Sequence, residues 1–153
     1  MVLIAALGLG YDEWRPHLPF LDMDATSALP PSEPGMRATG GFSLCGSGAR
    51  VNCVVDGDTL YLGGRKIRLA DIDTPEVFSP SCASERERGE RASRRLVALL
   101  NQGPVTFERT GGRDSDIYGR DLRIAVSNGR SVGDRLVSEG LARPWDGARR
   151  PWC

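Results

Sequence analysis

Four aspartates, paired as Asp56/Asp58 and Asp71/Asp73 with one residue between partners, are the side chains of this 153-residue sequence best placed to do chemistry. In an extended strand, residues i and i+2 project to the same face. Carboxylates crowded together without cations repel and raise one another's pKa. A hard divalent cation relieves that cost, because Ca²⁺ and Mg²⁺ take carboxylate, carbonyl and water oxygens as ligands. Arg68 lies between the two pairs, and Glu76 follows the Thr74-Pro75 step. A cation, a guanidinium and a spare carboxylate are the parts that water attack on a phosphodiester requires. The stretch from Val54 to Glu76 therefore points to metal-dependent phosphodiester hydrolysis.

The elements that must position these residues follow from pattern. Residues 51–55 and 59–62 are short β-type runs, with Asp56-Gly57 as the bend between them. Leu62-Gly63-Gly64-Arg65 reads as a hairpin turn leading to a third strand over 66–72. Ser84 with Glu87 three residues on forms a capping box that opens a helix running to about Leu100, with Ala92, Leu96, Leu99 and Leu100 on one stripe. Asn101-Gln102-Gly103-Pro104 ends it. Residues 105–109 form a fourth strand with Val105 and Phe107 on one face, and 121–126 a fifth, turned by Asn128-Gly129. A second helix over 132–139 stops at Gly140, which suits a C′ glycine. Three strands, a helix, two strands and a helix predict a small antiparallel barrel of the oligonucleotide-binding (OB) kind with helical additions.

Composition sets the frame. Hydrophobic residues at 40% and charged residues at 26% suit a soluble globular protein. The net charge is zero, so bulk charge gives no argument for a nucleic-acid partner. Residues 1–43 hold two arginines against five acids, a net of −3, which leaves +3 for the remainder. Lys66 is the only lysine, and arginine suits bidentate phosphate contacts. The segment 22–41 is rich in Ala, Ser, Thr, Pro and Gly and reads as a linker. The expected division is therefore an N-terminal end plus linker, 1–43, and one folded domain, 44–153. The apolar run at 1–10 is too short to span a bilayer, which takes about 20 residues. It reads either as the end of an export signal or anchor, or as a short helix lying on the domain or a disordered end. Cys45, Cys53, Cys82 and Cys153 allow two disulfides in three connectivities, with buried free thiols as the alternative. No Cys-x-x-Cys pair is present and His17 is the only histidine, which argues against a zinc site.

From about Val51 to Arg143 the sequence resembles the staphylococcal nuclease (thermonuclease) family. The matching pieces are Val-Val-Asp56-Gly-Asp58-Thr and Ile-Arg68-Leu-Ala-Asp-Ile-Asp73-Thr74-Pro-Glu76. They continue with the helix after Gly89, Asp116-Ile-Tyr118-Gly119-Arg120, and Leu136-Val-Ser-Glu-Gly140-Leu-Ala. The resemblance implies a five-stranded OB-fold barrel with helices (α+β) and Ca²⁺-dependent hydrolysis of DNA and RNA to products ending in 3′-phosphate. It implies one Ca²⁺ per domain, in preference to Mg²⁺, held by Asp58, Asp73 and the Thr74 carbonyl, with Asp56 behind them. Glu76 takes the position of the residue that orients or deprotonates water. Arg68 and Arg120 take those of the two guanidiniums that clamp the phosphate, and Tyr118 lines the nucleotide pocket. Asp71 reads as a capping or arginine-paired residue and stays outside the ligand set. Trp145 has two readings, base stacking or core packing; Trp152 has no assignment.

The sequence differs from the family pattern in two places. The long C-terminal helix of well-known members is replaced by a Pro/Trp/Arg tail, which a disulfide to Cys153 would hold in its stead. Ile117 stands where a basic residue is common. The competing reading is a non-catalytic OB-fold module that binds nucleic acid or protein, and retention of Asp58, Asp73, Arg68, Glu76 and Arg120 favours the enzyme. The expected partners are DNA and RNA substrates, with no stable protein partner and a monomeric state. Cysteine usage favours an extracytoplasmic site, periplasmic or secreted, with membrane contact only through an N-terminal anchor.

Overall fold

The computed structural model describes residues 35–153. The apolar run at 1–10, His17 and most of the expected linker lie outside the described residues. The chain forms β1 (Met36–Ala38), β2 (Ser43–Leu44), β3 (Cys53–Val54), β4 (Thr59–Leu62), β5 (Arg65–Leu69) and β6 (Ile72–Asp73). Helix α1 (Ala83–Leu100), β7 (Val105–Arg109), β8 (Asp121–Ser127), β9 (Arg130–Ser131), α2 (Val132–Ser138) and β10 (Arg143–Pro144) follow.

One mixed sheet runs in the order β1-β7-β8-β5-β4-β3-β2, with β9 added to β8. Its two outermost strands, β1 and β2, are separated in sequence only by residues 39–42. Fully extended, the chain from Ala38 to Ser43 spans at most roughly 18 Å. Seven strands laid flat at their usual spacing would put those edges roughly 29 Å apart. The sheet therefore has to curl, and with its two helices it makes a half-barrel α+β fold of the OB type, though not the all-antiparallel one expected, since β5–β8 and β2–β3 pair in parallel.

Local sequence explains the main turns. Gly63 and Gly64 both take positive φ, 58° and 83°, as a two-residue hairpin loop with the sheet's twist requires. Register is set there, with Leu62 opposite Arg65 and Leu60 opposite Ile67. Val105 and Phe107 point inward, as the alternation predicts. They meet Leu60, Ile67, Leu69 and Ile72 from the sheet, Leu96, Leu99 and Leu100 from α1, and Val132 and Leu136 from α2. Each such side chain contributes about 1.5–3 kcal/mol on full burial.

Three further expectations need correction. The third strand is not continuous: β5 ends at Leu69 and β6 resumes at Ile72, because Arg68 Nη1 donates to the Ile72 carbonyl (3.0 Å) and to the Leu69 carbonyl across the break. The described part of the proline-rich segment is not all linker, since β1 pairs with β7, Arg37 opposite Thr106. The link after β1 is fixed by Asn101 at the end of α1. Its Oδ1 accepts from the Phe42 amide (3.0 Å), and its Nδ2 donates to the Phe42 carbonyl (2.9 Å). Finally, α1 is capped at Cys82 rather than Ser84, with no side-chain cap bond. Glu85, in the first turn, reaches back instead, accepting from the Ser81 amide at 2.6 Å and the Glu76 amide at 3.3 Å. Its charge also suits the positive end of the helix.

The second helix ends as read. Gly140 has φ +73°, its amide donates to Val137 O (3.0 Å), and Leu141 N donates to Leu136 O (2.9 Å). That turn sends the chain back along β10, which pairs antiparallel with β6 and sets Arg143 opposite Asp73.

Candidate active site

Two glycines let three segments converge. A Cβ on Gly57 would stand 2.8 Å from Ala92 Cβ and 2.9 Å from Thr74 Cβ, and one on Gly89 would stand 2.7 Å from the Pro75 carbonyl oxygen. The Asp56-Gly57-Asp58 turn and the Thr74-Pro75-Glu76 loop thus lie directly on α1. Within this junction the Thr74 amide donates to Asp58 Oδ2 (3.3 Å), Thr59 Oγ1 to Asp58 Oδ1 (3.0 Å), and the Asp58 amide to Asp56 Oδ1 (3.1 Å). Arg68 Nη1 lies 3.1 Å from Asp58 Oδ2, and both side chains are buried.

A cleft of about 470 Å³ is lined by Asp56, Asp58, Lys66, Thr74, Pro75, Glu76, Tyr118, Arg120 and Arg149. Six of the eight residues singled out from sequence are on that surface. The other two are reached from its sides. Arg68 lines a pocket of about 280 Å³ that shares Tyr118, Arg120 and Arg149 with the first. Asp73 lines a third, of about 320 Å³, with Arg143, Pro144 and Arg150.

The loop carrying Arg120 is organised by Asp116. Its Oδ1 accepts from the amides of Tyr118 (2.9 Å) and Arg120 (3.0 Å), and its Oδ2 accepts from Arg120 Nε (2.7 Å). Burial works to raise the Asp116 carboxyl, but these hydrogen bonds outweigh it and hold it below its ordinary value. Arg120 Nη1 also reaches Thr59 Oγ1 at 3.5 Å, which ties it to the Asp58 junction. Tyr118 is 76% exposed, with the Arg120 guanidinium 5.5 Å from its ring centroid. Trp145 is 40% exposed and 5.9 Å from the Arg68 guanidinium, so it stands at the pocket and not in the core.

The acidic residues bear the electrostatic cost that their spacing suggested. Burial, then the charge of Asp58, pushes the Asp56 carboxyl up to about 6. Burial also raises Asp73, against the pull of the Trp152 indole and Arg149 and with a further push from Asp58. Asp73 Oδ1 is buried with no hydrogen-bond partner. Among the described residues no group of three or more His, Cys, Asp or Glu side chains is arranged to hold a metal. The set implied by the resemblance, two carboxylates and a backbone carbonyl, does not call for a third acid. A carboxylate oxygen on Asp73 that takes no hydrogen bond, next in sequence to the residue whose amide binds Asp58, suits a hard cation. Asp71 is engaged elsewhere: its Oδ2 accepts from Ser131 Oγ (2.6 Å), the N-cap of α2.

Three contributors escape sequence reasoning. Glu85 holds the Glu76 backbone, as described above; an acid three residues after Cys82 signals it once the helix start is known. Arg149 contacts Glu76 through Nη1, and its Nε lies 3.8 Å from Asp73 Oδ1. Trp152 donates from Nε1 to Asp73 Oδ2 at 3.2 Å. The tail bearing both is joined to the start of α1 by Cys82–Cys153, while Cys45–Cys53 links β3 to the residue after β2.

Comparison with known proteins gives the chain a family. The profile described as "Staphylococcal nuclease homologue" matches residues 66–150. Endonuclease YncB of Bacillus subtilis is 40% identical over 94 residues, covering 58% of this chain and 44% of that protein. The SPbeta prophage-derived endonuclease YokF of the same organism is 43% identical over 94 residues, 58% of this chain and 31% of its own length. Thermonuclease of Staphylococcus hyicus is 30% identical over 94 residues, 59% and 54% respectively. The chain thus spans about half or less of the length of these relatives. With the profile matching more than half of its residues, the chain belongs to the staphylococcal nuclease homologue family.

Proposed function

We propose that the chain is a Ca²⁺-dependent nuclease that hydrolyses DNA and RNA to products with 3′-phosphate ends, and that it works outside the cytoplasm. The observation that carries the reading is the convergence on one cleft of Asp56, Asp58, Thr74, Glu76 and Arg120, with Arg68 bonded to Asp58 at its side. Three relatives named endonuclease or thermonuclease support it. The two cysteine pairs at bonding distance support an oxidising compartment.

In this reading Asp58, Asp73 and the Thr74 carbonyl hold the ion. When bound, Ca²⁺ supplies Lewis-acid polarisation of a phosphoryl oxygen. The chain's own groups do the rest. Arg120, steered by Asp116, and Arg68, fixed by Asp58 and two carbonyls, offer guanidinium N–H groups to the nonbridging oxygens, where charge grows in the transition state. Glu76, about one-third exposed on the cleft wall, accepts the proton of the attacking water. Tyr118 and Trp145, exposed beside the two arginines, stack on the flanking bases. Arg149 adds a third guanidinium that an entering phosphate draws away from Glu76.

Incubating the purified chain with single-stranded DNA, duplex DNA and RNA, in Ca²⁺, Mg²⁺ or chelator, beside a Glu76→Gln control, tests this. Cleavage in Ca²⁺ that stops in chelator and in the variant is expected. Cleavage that persists in chelator, or binding of DNA without cleavage under every condition, overturns it.

A further inference from the structure

Asp73 is held from two sides, and only one of them belongs to the aspartate-bearing motif. On the other side the tail is anchored to the domain at three points and braced within itself at two. β10 pairs with β6, Arg143 opposite Asp73 itself. The Trp145 amide donates to Asp71 O at 2.8 Å. Arg143 lays its guanidinium 3.8 Å from the Trp152 ring centroid and donates from Nη1 to the Pro151 carbonyl at 3.0 Å. Cys153, the next residue, is bonded to Cys82 at the foot of α1. These contacts bury Trp152 and aim its single N–H at one oxygen of Asp73, Oδ2, at 3.2 Å. The other oxygen, Oδ1, is buried without a hydrogen-bond partner, and Arg149 Nε, 3.8 Å away, is the charge that a cation there would displace.

An indole N–H can only donate, so it binds the ionised carboxylate and cannot accept from a protonated one. Held at Oδ2, the carboxylate has one rotational setting, and Oδ1 is the oxygen left for an incoming cation. Partners that orient a ligating carboxylate in this way typically change metal affinity about 10- to 100-fold when removed. Taking the nuclease reading as its basis, we propose that Trp152 is a positioning residue for the cation site, delivered by the disulfide-anchored tail to orient Asp73. The tail thereby adds a hydrogen bond to the ligand.

The test is Trp152→Phe in the full chain, which keeps an aromatic ring for Arg143 to stack on and removes the N–H donor. Calorimetric titration with CaCl₂ is expected to give a Kd raised about tenfold. At saturating CaCl₂ the variant's kcat returns to within about twofold of wild type and its KM for DNA stays the same, a split that general loosening of the fold would not produce. A spectroscopic arm does not depend on that variant folding. In Trp14→Phe/Trp145→Phe, where Trp152 is the only tryptophan left, emission shifts on CaCl₂ addition with the calorimetric Kd. Equal Kd for wild type and Trp152→Phe, or Trp152 emission indifferent to CaCl₂, overturns the proposal alone. A wild-type chain that neither binds CaCl₂ nor cleaves DNA overturns the nuclease reading, and this inference falls with it.

Discussion

The two walls of the cleft are built in different ways. On the wall that carries the aspartates, most polar contacts are short in sequence: Asp58 bonds Asp56, Arg68 bonds Ile72, Arg120 bonds Asp116, and Thr74 to Asp58 spans 16 residues, with Arg120 to Thr59 the long exception at 61. On the tail wall the spans are 79 residues from Trp152 to Asp73 and 71 from Cys82 to Cys153. The aspartate-bearing part of the first wall lies within β4, β5, β6 and their flanking turns, and Arg120 joins it from the loop before β8. The second exists only when the end of the chain has docked. In the proposed function, chemistry sits on the aspartate wall, and the distant segment touches it at Asp73 and Glu76. On this view, changes to the aspartate wall act on turnover, and changes to the tail act on affinity and stability.

The sharpest way to break that division is Glu76→Gln, expected to lower kcat about 10²- to 10⁴-fold with Ca²⁺ affinity retained, as read by single-turnover cleavage and calorimetry. Next comes the anchoring bond. Removing Cys82–Cys153 frees a 71-residue loop and is expected to cost about 4 kcal/mol, against about 2.5 kcal/mol for Cys45–Cys53 with its 8-residue loop. Urea unfolding of the paired Cys→Ser variants measures both, and equal losses would show that the tail does not order the domain. Arg120→Lys retains charge but loses the planar fork and the Asp116 bond, so kcat should drop about 10²-fold while the melting temperature barely changes. Arg149→Ala should raise KM for DNA about threefold and reduce the slope of log binding against log salt by about one, because one phosphate contact is lost. If kcat fell instead, the tail would belong with the chemistry.

The smallest effect is a control away from both walls. Arg95 Nε and Nη2 each lie 2.7 Å from the Glu139 carboxylate, joining α1 to the end of α2. The Arg95 hydrogen bond holds the Glu139 carboxyl below its ordinary value. A carboxyl depressed on folding stabilises above its unfolded pKa and loses that contribution as pH falls through the folded value. For this surface pair the loss is about 0.5 kcal/mol or less. Glu139→Gln should erase that part of the acid slope and leave cleavage unaltered.

How much of this could be read in the chain follows the same split. The aspartates, Arg68 and Glu76 were legible because their types and spacing make chemical sense within a few residues, whereas Arg120 was legible only through the family resemblance. The Gly63-Gly64 hairpin, the inward Val105 and Phe107 and the Gly140 stop were legible because backbone geometry demands them locally. Strand β1 was not, since three residues in a proline- and glycine-rich stretch become a strand only by pairing with β7. Nor was the start of α1: Ser84 and Glu87 fit a capping box, but burial of Glu85 against two loop amides sets the register two residues earlier. Trp152 and Arg149 have no periodicity or motif around them. Their positions depend on a pairing of cysteines that spacing alone left open.

Because residues 39–42 tie the first and last strands of the sheet together, the curled sheet shows neighbouring molecules only brief borders, three residues at β1 and two at β2. A border that short is a poor template for strand-by-strand growth. The link that bends the sheet into a half-barrel thus also guards the folded chain against fibre-like self-association.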